Sequence, residues 1–424
     1  MRALISTSIV MAVAVQGLSI SAAQAQDSAG DIAFDVSDAL RPLEARGIGS
    51  LRLGAWLMTP VVNIGQTYDD NIFATPDDKV DDFITDIDPA ITLASDWNRH
   101  QTAFKLDGSF GFYQENPDEN RRDYSIANTT VFDVWAGTRL TTDLLYRHAQ
   151  TPRTSPDNLD ASAEPLRFDQ RQAGLVLSRD LSIFTLSLSG TMKRLTYSNS
   201  EAVGGGTINN SDRDRTDSGY AITLGYQPFP QTSASLSLGY EDTDYDDAAQ
   251  FGGPDRDNNG LTIDLNASKT ISELWVIGLN LGYHQRNFAD PSLDDLSGSK
   301  AIILGADVQW NPTRLTSVTA TLLRRSYETT EAGASSIVST FGTLGLEHQL
   351  LSQLVVSAGL DYNLSDYEGA TREDHDYGLS LGLEYALMRF LAIEAEYSYR
   401  QRDSNVDSAG YDKNTAYLGL RLSF

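Results

Sequence analysis

Charged side chains recur in this chain at alternate positions of segments that are otherwise apolar on one side and polar on the other. Asp88, Lys105, Asp107, Asp143, Arg147, Glu241, Asp264, Asp307, Arg325, Glu347, Asp361, Glu384, Glu394 and Arg421 all fall in the polar set, as do Asp96, Lys193 and Glu396. The chemistry open to them is electrostatic. Carboxylates ranged around a wetted passage favour cations, and here acidic members outnumber basic ones. A plainer reading stands beside it: a wetted wall needs only polar side chains, and these charges then pair across neighbouring strands.

Catalysis has little to build on. A hydrolase needs a nucleophile or water activated by His or by paired carboxylates. The five histidines, His100, His148, His284, His348 and His375, lie in different segments. His375 stands between Asp374 and Asp376 at a loop edge, an arrangement common in acidic loops. No phosphate loop, CxxC or HExxH occurs, so neither a cofactor nor a catalytic metal is expected. The run from Asp255 to Gly260 matches the start of a calcium loop, but Asn266 replaces the closing bidentate Glu. It reads as an acidic loop that leads into a strand. Weak divalent-ion binding stays open at stretches such as Ser211 to Asp217.

The elements that must position these side chains are strands. Tyr220–Tyr226, Ala234–Tyr240, Leu261–Ala267, Trp275–Tyr283 and Tyr377–Tyr385 alternate apolar residues with Gly, Ser, Thr, Asn, Asp or Glu. Side chains on a strand repeat every two residues, so each segment has one apolar and one polar face. About 18 such segments follow one another, an even count of the kind seen in bacterial membrane barrels. They are expected to begin near residues 60, 84, 101, 122, 139, 166, 183, 216, 232, 258, 274, 299, 314, 338, 353, 376, 390 and 413. A tilted strand of ~9–11 residues crosses a bilayer.

The connections alternate strictly between two classes. Short ones lie around residues 96–99, 135–137, 179–181, 227–230, 311–312, 351–352 and 388–389. Longer, Asp-rich ones cover 69–82, 115–122, 151–165, 199–214, 246–257, 288–297, 328–336, 368–374 and 403–410. Short periplasmic turns and longer outer loops are what a transmembrane antiparallel β-barrel requires; a soluble sandwich gives no reason for the alternation. Trp97, Trp135, Trp275 and Trp310 fall beside short turns, and Trp56 just before the first strand. Tyr68, Tyr113, Tyr124, Tyr146, Tyr197, Tyr240, Tyr283, Tyr327, Tyr362, Tyr377 and Tyr397 gather at the other end. Amphipathic rings favour membrane–water interfaces, so the two sets are expected to form two girdles.

Composition agrees. The chain has 424 residues, a net charge of −26, 33 Gly, 19 Tyr, only 5 Met and no Cys. Disulfides therefore contribute nothing to its stability. Such acidity argues against nucleic acid as a partner, and against holding anionic lipid through a basic patch.

Both ends of the chain carry signals. Met1-Arg2, an apolar stretch from Ala3 to Val15 and the small residues Ala23-Gln24-Ala25 read as a secretory signal peptide over residues 1–25. No later stretch offers ~18 continuous apolar residues, so no membrane-spanning helix is expected. Residues 26–59 are expected to form a periplasmic lead, with a plug for the lumen as the alternative and a short helix expected over Val36–Ala45. The barrel is expected over 60–424. At the other end, Leu418, Leu420, Leu422 and Phe424 alternate with Tyr417, Gly419, Arg421 and Ser423. The spacing of Tyr417, Gly419, Leu422 and Phe424 resembles the insertion signal on the last strand of bacterial outer-membrane barrels.

A more specific resemblance lies between Gly47 and Thr75. Gly47-Ile-Gly-Ser-Leu-Arg-Leu-Gly-Ala-Trp-Leu-Met-Thr-Pro60, Val61–Gly65 and above all Tyr68-Asp-Asp-Asn-Ile-Phe73 resemble the opening of the outer-membrane barrel family called β-barrel porin 2. The resemblance in length and layout covers the whole mature chain. It implies a channel associated with exopolysaccharide export in bacteria. The partners it implies are outer-membrane lipid and lipopolysaccharide, the barrel-assembly machinery and periplasmic polysaccharide-export proteins. Passive diffusion of small hydrophilic solutes and a non-conducting structural or adhesive surface protein are the other readings the residues allow. An acidic lumen makes a strongly anionic polymer a poor passenger unless its charge is masked. The Tyr68–Phe73 run itself is expected to close the first strand, because Asp and Asn bond their own backbone in turns; ligand contact is the alternative.

Overall fold

The computed structural model describes residues 50–423 apart from 157–161, 247–252, 273, 295–299 and 332. The expected signal peptide, the expected helix over Val36–Ala45 and the terminal Phe424 lie outside the described residues.

Alternation of apolar and polar residues produces a closed wall of eighteen antiparallel strands. These are β1 (Trp56–Asp69), β2 (Asp82–Ser95), β3 (Gln101–Tyr113), β4 (Arg121–Trp135), β5 (Thr138–Gln150) and β6 (Arg167–Leu181). The wall continues with β7 (Phe184–Tyr197), β8 (Arg215–Phe229), β9 (Thr232–Tyr245), β10 (Asn258–Thr270), β11 (Trp275–Phe288) and β12 (Lys300–Thr313). It ends with β13 (Thr316–Tyr327), β14 (Ser336–Leu351), β15 (Leu354–Glu368), β16 (Glu373–Met388), β17 (Leu391–Ser404) and β18 (Tyr411–Ser423). Each strand pairs with its neighbours in sequence, and β1 pairs with β18 from Val61↔Ser423 to Asp69↔Thr415. No free edge remains, which a lipid environment demands because it offers no partner for an open N–H or C=O. The helical pieces among the described residues are single turns such as Pro291–Asp294, and none is long and apolar enough to cross a membrane.

The first strand starts at Trp56 rather than near residue 60. A short strand, Leu51–Leu53, folds back on Trp56–Met58 through a turn at Gly54, whose φ is +65°. Pro60 precedes the onset of pairing with β18 by one residue, and an edge position of this kind tolerates its missing N–H.

One face of the wall is apolar and bare. Leu236, Leu238, Leu261, Ile263, Leu265, Leu279 and Leu281 pair across β9–β11 and are 43–60% exposed. So wide an apolar surface marks contact with a non-aqueous partner, here the hydrocarbon of the bilayer. At the short-turn end Trp275 stacks on Trp310 at 5.3 Å, and Trp56 meets Trp97 edge-on at 5.3 Å. Tyr68, Tyr124, Tyr146, Tyr240, Tyr283, Tyr362, Tyr377 and Tyr397 stand in register with the apolar set at the long-loop end. Tyr113, Tyr197 and Tyr327 do not. Their registers, Ile84↔Tyr113, Phe168↔Tyr197 and Tyr327↔Ile337, place them on the inner face. The tyrosines of that end therefore form two rings, one toward lipid and one inside.

The two clusters of buried apolar residues lie inside that same end. Ala149, Leu166, Phe168, Leu195 and Tyr197 form one cluster, and Ala334, Ile337 and Tyr367 another. The middle of the wall has no comparable core, consistent with a water-filled interior at this strand count.

Candidate functional site

The register gives the inner face a repeated unit: a carboxylate with a hydroxyl on one neighbouring strand and a glycine on the other. Asp143 lies between Thr129 and Gly174, Asp264 between Ser237 and Gly282. Asp307 lies between Gly278 and Thr321, and Asp361 between Thr343 and Gly378. The hydroxyls donate: Thr129 Oγ1 to Asp143 at 2.6 Å, Thr321 Oγ1 to Asp307 at 3.0 Å. For Asp88 on β2 and Asp107 on β3 the donors are Ser109 at 2.7 Å and Ser125 at 3.2 Å. A Cβ on Gly282 would lie 2.5 Å from Asp264 Oδ1, and the Asp361 carboxylate covers Gly378 in the same way. At Gly282 and Gly378 glycine thus leaves bare backbone on which the carboxylate lies flat against the wall.

The remaining sequence candidates share this face, and several are paired. Lys105 meets Asp107 at 3.1 Å. Glu384 and Glu394 stand directly opposite each other, and Arg421 bridges them, 3.3 Å from Glu394. His284 meets Glu241 at 3.0 Å, and Lys193 meets Asp217 at 2.6 Å. Arg147 stacks over Phe168 at 5.7 Å. Arg325 is opposite Ser339, Glu347 opposite Ser317 and Ser357, and Glu396 opposite Gly382 and Tyr417. Asp96 is not part of the wall; it sits in the turn after β2, 2.6 Å from Arg52. Among the described residues, no ion pair joins Asp88, Asp143, Asp264, Asp307 or Glu347 to a basic side chain. Pairing therefore neutralises part of the acidic set and leaves a group of carboxylates without an ion pair, of which Asp88, Asp143 and Asp307 accept from hydroxyls.

Sequence reasoning missed what reaches across the mouth above this wall. Thr151–Pro156, which leaves β5, turns inward as a strap. Arg402 of β17 donates to Thr154 O at 3.0 Å, and Tyr367 of β15 donates to Pro156 O at 3.2 Å. Round the wall, β4, β3, β2, β1 and β18 separate β5 from β17, so the strap reaches far across the opening. On the near side Arg153 grips Glu119 through Nε at 3.1 Å and Nη2 at 2.5 Å, and stacks over Phe73 at 5.8 Å. On the far side Arg402 bonds Asp376 at 2.7 Å and stacks over Tyr411 at 5.4 Å. Tyr367 is fully buried, with Arg372 4.5 Å above its ring. These arginine–aromatic stacks line the inner rim and hold loops against it.

Other motifs resolve into the same task. In the calcium-like stretch, Arg256 donates to Ala334 O and Glu331 O at 2.9 Å each, bracing one loop against another. Burial, with Asp255 alongside, pushes the Asp257 carboxyl above its ordinary range. No group of three or more His, Asp or Glu able to hold a metal occurs among the described residues. His375 faces outward, bonded to Tyr362 Oη and Glu373 at 2.8 Å each. In the Tyr68–Phe73 run, Asn71 donates to Thr75 O at 2.8 Å and to Asp412 O at 2.9 Å, while Asp70 accepts from Asn414 N at 2.7 Å. This run closes β1 and clamps it to β18. Lower on that seam the Tyr417 ring lies across Gly65 and Gly419, where a Cβ on either would come within 2.5 Å of its Cζ. Leu422 faces outward opposite Leu391.

Comparison with protein-family models matches residues 41–424 to the family described as putative beta-barrel porin 2. No curated protein matches. Among solved structures, OccK2 (OpdF) of Pseudomonas aeruginosa is 13% identical, with 89% of this chain and 100% of that one covered and a TM-score of 0.47. OpdL of the same organism is 11% identical, covering 88% and 99%, at 0.45. Its siderophore receptor PirA is 8% identical, covering 87% and 80%, at 0.42.

Proposed function

The chain belongs to the putative beta-barrel porin 2 family, a porin-like barrel of the outer membrane, and we propose that it is the conduit by which an exopolysaccharide crosses that membrane. The observation that carries the reading is the mid-height wall. Its carboxylate–hydroxyl units spend their hydroxyl protons on the carboxylates and so present acceptors to the lumen, which suits a hydroxylated, uncharged or weakly cationic chain whose O–H groups donate. A polyanion would meet repulsion from Asp88, Asp143, Asp264, Asp307 and Glu347 unless its charge were masked. The export direction and the periplasmic export partners rest on the family association and not on geometry.

The strap favours a second reading, passive diffusion of small hydrophilic solutes, because a pinned strap admits ions more readily than a polymer. Deletion of the gene decides between them. Loss of secreted polysaccharide with unchanged nutrient entry supports export. Unchanged surface glycan with slowed entry of small solutes refutes export. Absence of conductance in planar bilayers at any salt removes both and leaves a structural or adhesive role.

A further inference from the structure

The seam between the first and last strands carries more than a polar wall needs. One register line crosses five strands on the inner face: Asp86 of β2, Gly65 of β1, Gly419 of β18, Glu394 of β17 and Glu384 of β16. Its two central positions have no side chain, and the Tyr417 ring takes their place. A Cβ on Gly65 would lie 2.2 Å from the ring Cε2, and one on Gly419 would lie 2.1 Å from Oη. One face of the ring is thus laid on bare backbone. Among the described residues no other ring and no guanidinium stacks on the opposite face, and the hydroxyl makes no hydrogen bond. Yet that hydroxyl lies in the field of Glu394, Asp88, Asp86 and Glu396.

The charges about the ring are unequally matched. Asp86 accepts from Thr67 Oγ1 at 2.6 Å and from Arg121 at 2.9 Å. Glu384 and Glu394 share Arg421, which leaves one negative charge between them. Lys413 is engaged with Asp69 at 2.6 Å. Asp88, diagonal to Gly65, accepts from Ser109 and has no basic partner among the described residues. Glu396 stands directly opposite Tyr417 on one side and Gly382 on the other. It is exposed and makes no hydrogen bond or ion pair among the described residues. Arg400 lies four residues nearer the long loops on the same face of β17. An open aromatic face therefore stands beside an unmatched carboxylate.

A cation within about 6 Å of a tyrosine ring centre is attracted to its face. Directly opposed residues of neighbouring strands hold their Cβ atoms about 4.5–5.5 Å apart, so one ligand can meet both Tyr417 and Glu396. A bare metal ion leaves the ring unused, and a carboxylated sugar is repelled. We propose that Tyr417 and Glu396 seat a sugar residue bearing a free ammonium group, with its C–H face on the tyrosine and its ammonium on the glutamate. The seat rests on the glycan reading and narrows the passenger to a chain containing unacylated amino sugars. Arg402, the far anchor of the strap, stands six residues further along this face of β17, so the seat lies beneath the strap.

Isothermal titration calorimetry on the full chain in detergent tests this without requiring conduction or a direction of transport. The probes are the β-linked tetramer of glucosamine, its fully N-acetylated counterpart, and spermidine, which carries ammonium groups but no sugar. Below the pKa of the sugar amine, the wild type is expected to bind the glucosamine tetramer about tenfold more tightly than the acetylated one, the share of one charge-assisted hydrogen bond. Glu396→Gln is expected to abolish that preference. Tyr417→Leu is expected to weaken binding of both tetramers. Glu347→Gln, which removes an equal charge from β14, is expected to change neither by more than about twofold. Equal affinity of the wild type for the two tetramers overturns the seat. A loss in Glu347→Gln as large as in Glu396→Gln also overturns it, since a general acidic field then suffices, and so does spermidine bound as tightly as the glucosamine tetramer. Should Tyr417→Leu fail to assemble, the two glutamate variants decide. Equal affinities with glycan secretion lost on gene deletion refute the seat alone, whereas a preference for the amine with secretion unchanged refutes export alone.

Discussion

Removing one hydroxyl should loosen the strap. Tyr367 is fully buried, and its Oη donates to Pro156 O at 3.2 Å on the strap while also lying 3.2 Å from Asp374 Oδ2. Tyr367→Phe keeps the ring and its stack beneath Arg372. Asp374 stays satisfied by Arg372 Nη2 at 2.7 Å and Ser404 Oγ at 2.6 Å. The change therefore falls on one bond between the strap and the far wall. A neutral buried hydrogen bond contributes about 1 kcal/mol net, which shifts a two-state equilibrium roughly fivefold. Single-channel recording in planar bilayers reads this directly: the variant should spend about five times longer in the larger of two conductance levels. Adding Arg402→Gln removes the bond to Thr154 O and should raise that occupancy further. Amplitude histograms identical to wild type in both variants would refute the strap as the element that narrows the mouth.

Three further outcomes follow from the same geometry. Arg153→Met strips a nearly buried Glu119 of its partner. Breaking such a pair costs about 3–5 kcal/mol locally, so limited proteolysis should cut the 151–165 loop faster, and an unchanged cleavage rate would contradict the pinning. Arg421→Gln leaves Glu384 and Glu394 facing each other unbridged; the reversal potential in a KCl gradient should move toward potassium, and no movement would argue that these carboxylates do not see the permeating ion. Gly65→Ala forces a methyl against the Tyr417 ring. Overpacking of this kind costs about 1–3 kcal/mol. The urea midpoint should fall and should recover in Gly65→Ala/Tyr417→Ser, whereas an unchanged midpoint in the single variant would mean the ring has room to move.

Most of the wall was legible because lipid imposes a strict period of two. Leu261, Ile263 and Leu265 announce their face without any knowledge of the partner strand, and the alternation of turn and loop lengths announces closure. Phase was equally available for the tyrosines. Tyr197 is out of step with Leu186, Leu188 and Met192 of its own strand, whereas Tyr240 is in step with Leu236 and Leu238. Sorting tyrosines by strand end alone merges two rings that phase separates. The strap was not legible. Its contacts join Pro156 to a residue 211 positions away and Thr154 to one 248 away, and its residues have no period to follow. An Asp-rich look suggested a solvated loop, whereas Arg153 and two prolines, Pro152 and Pro156, are the residues that stiffen and anchor it. The glycines opposite Asp143, Asp264, Asp307 and Asp361 were visible as composition but acquire meaning only once register sets each beside its carboxylate.

The most direct test exploits the absence of native cysteine. Single replacements Gly305→Cys, Ala306→Cys, Asp307→Cys, Val308→Cys and Gln309→Cys along β12 are exposed, in outer-membrane vesicles, to a charged thiol reagent that cannot enter hydrocarbon. Positions 305, 307 and 309 should react and positions 306 and 308 should not. Equal reaction at all five, or reaction only at 306 and 308, would contradict a barrel with lipid outside and water within.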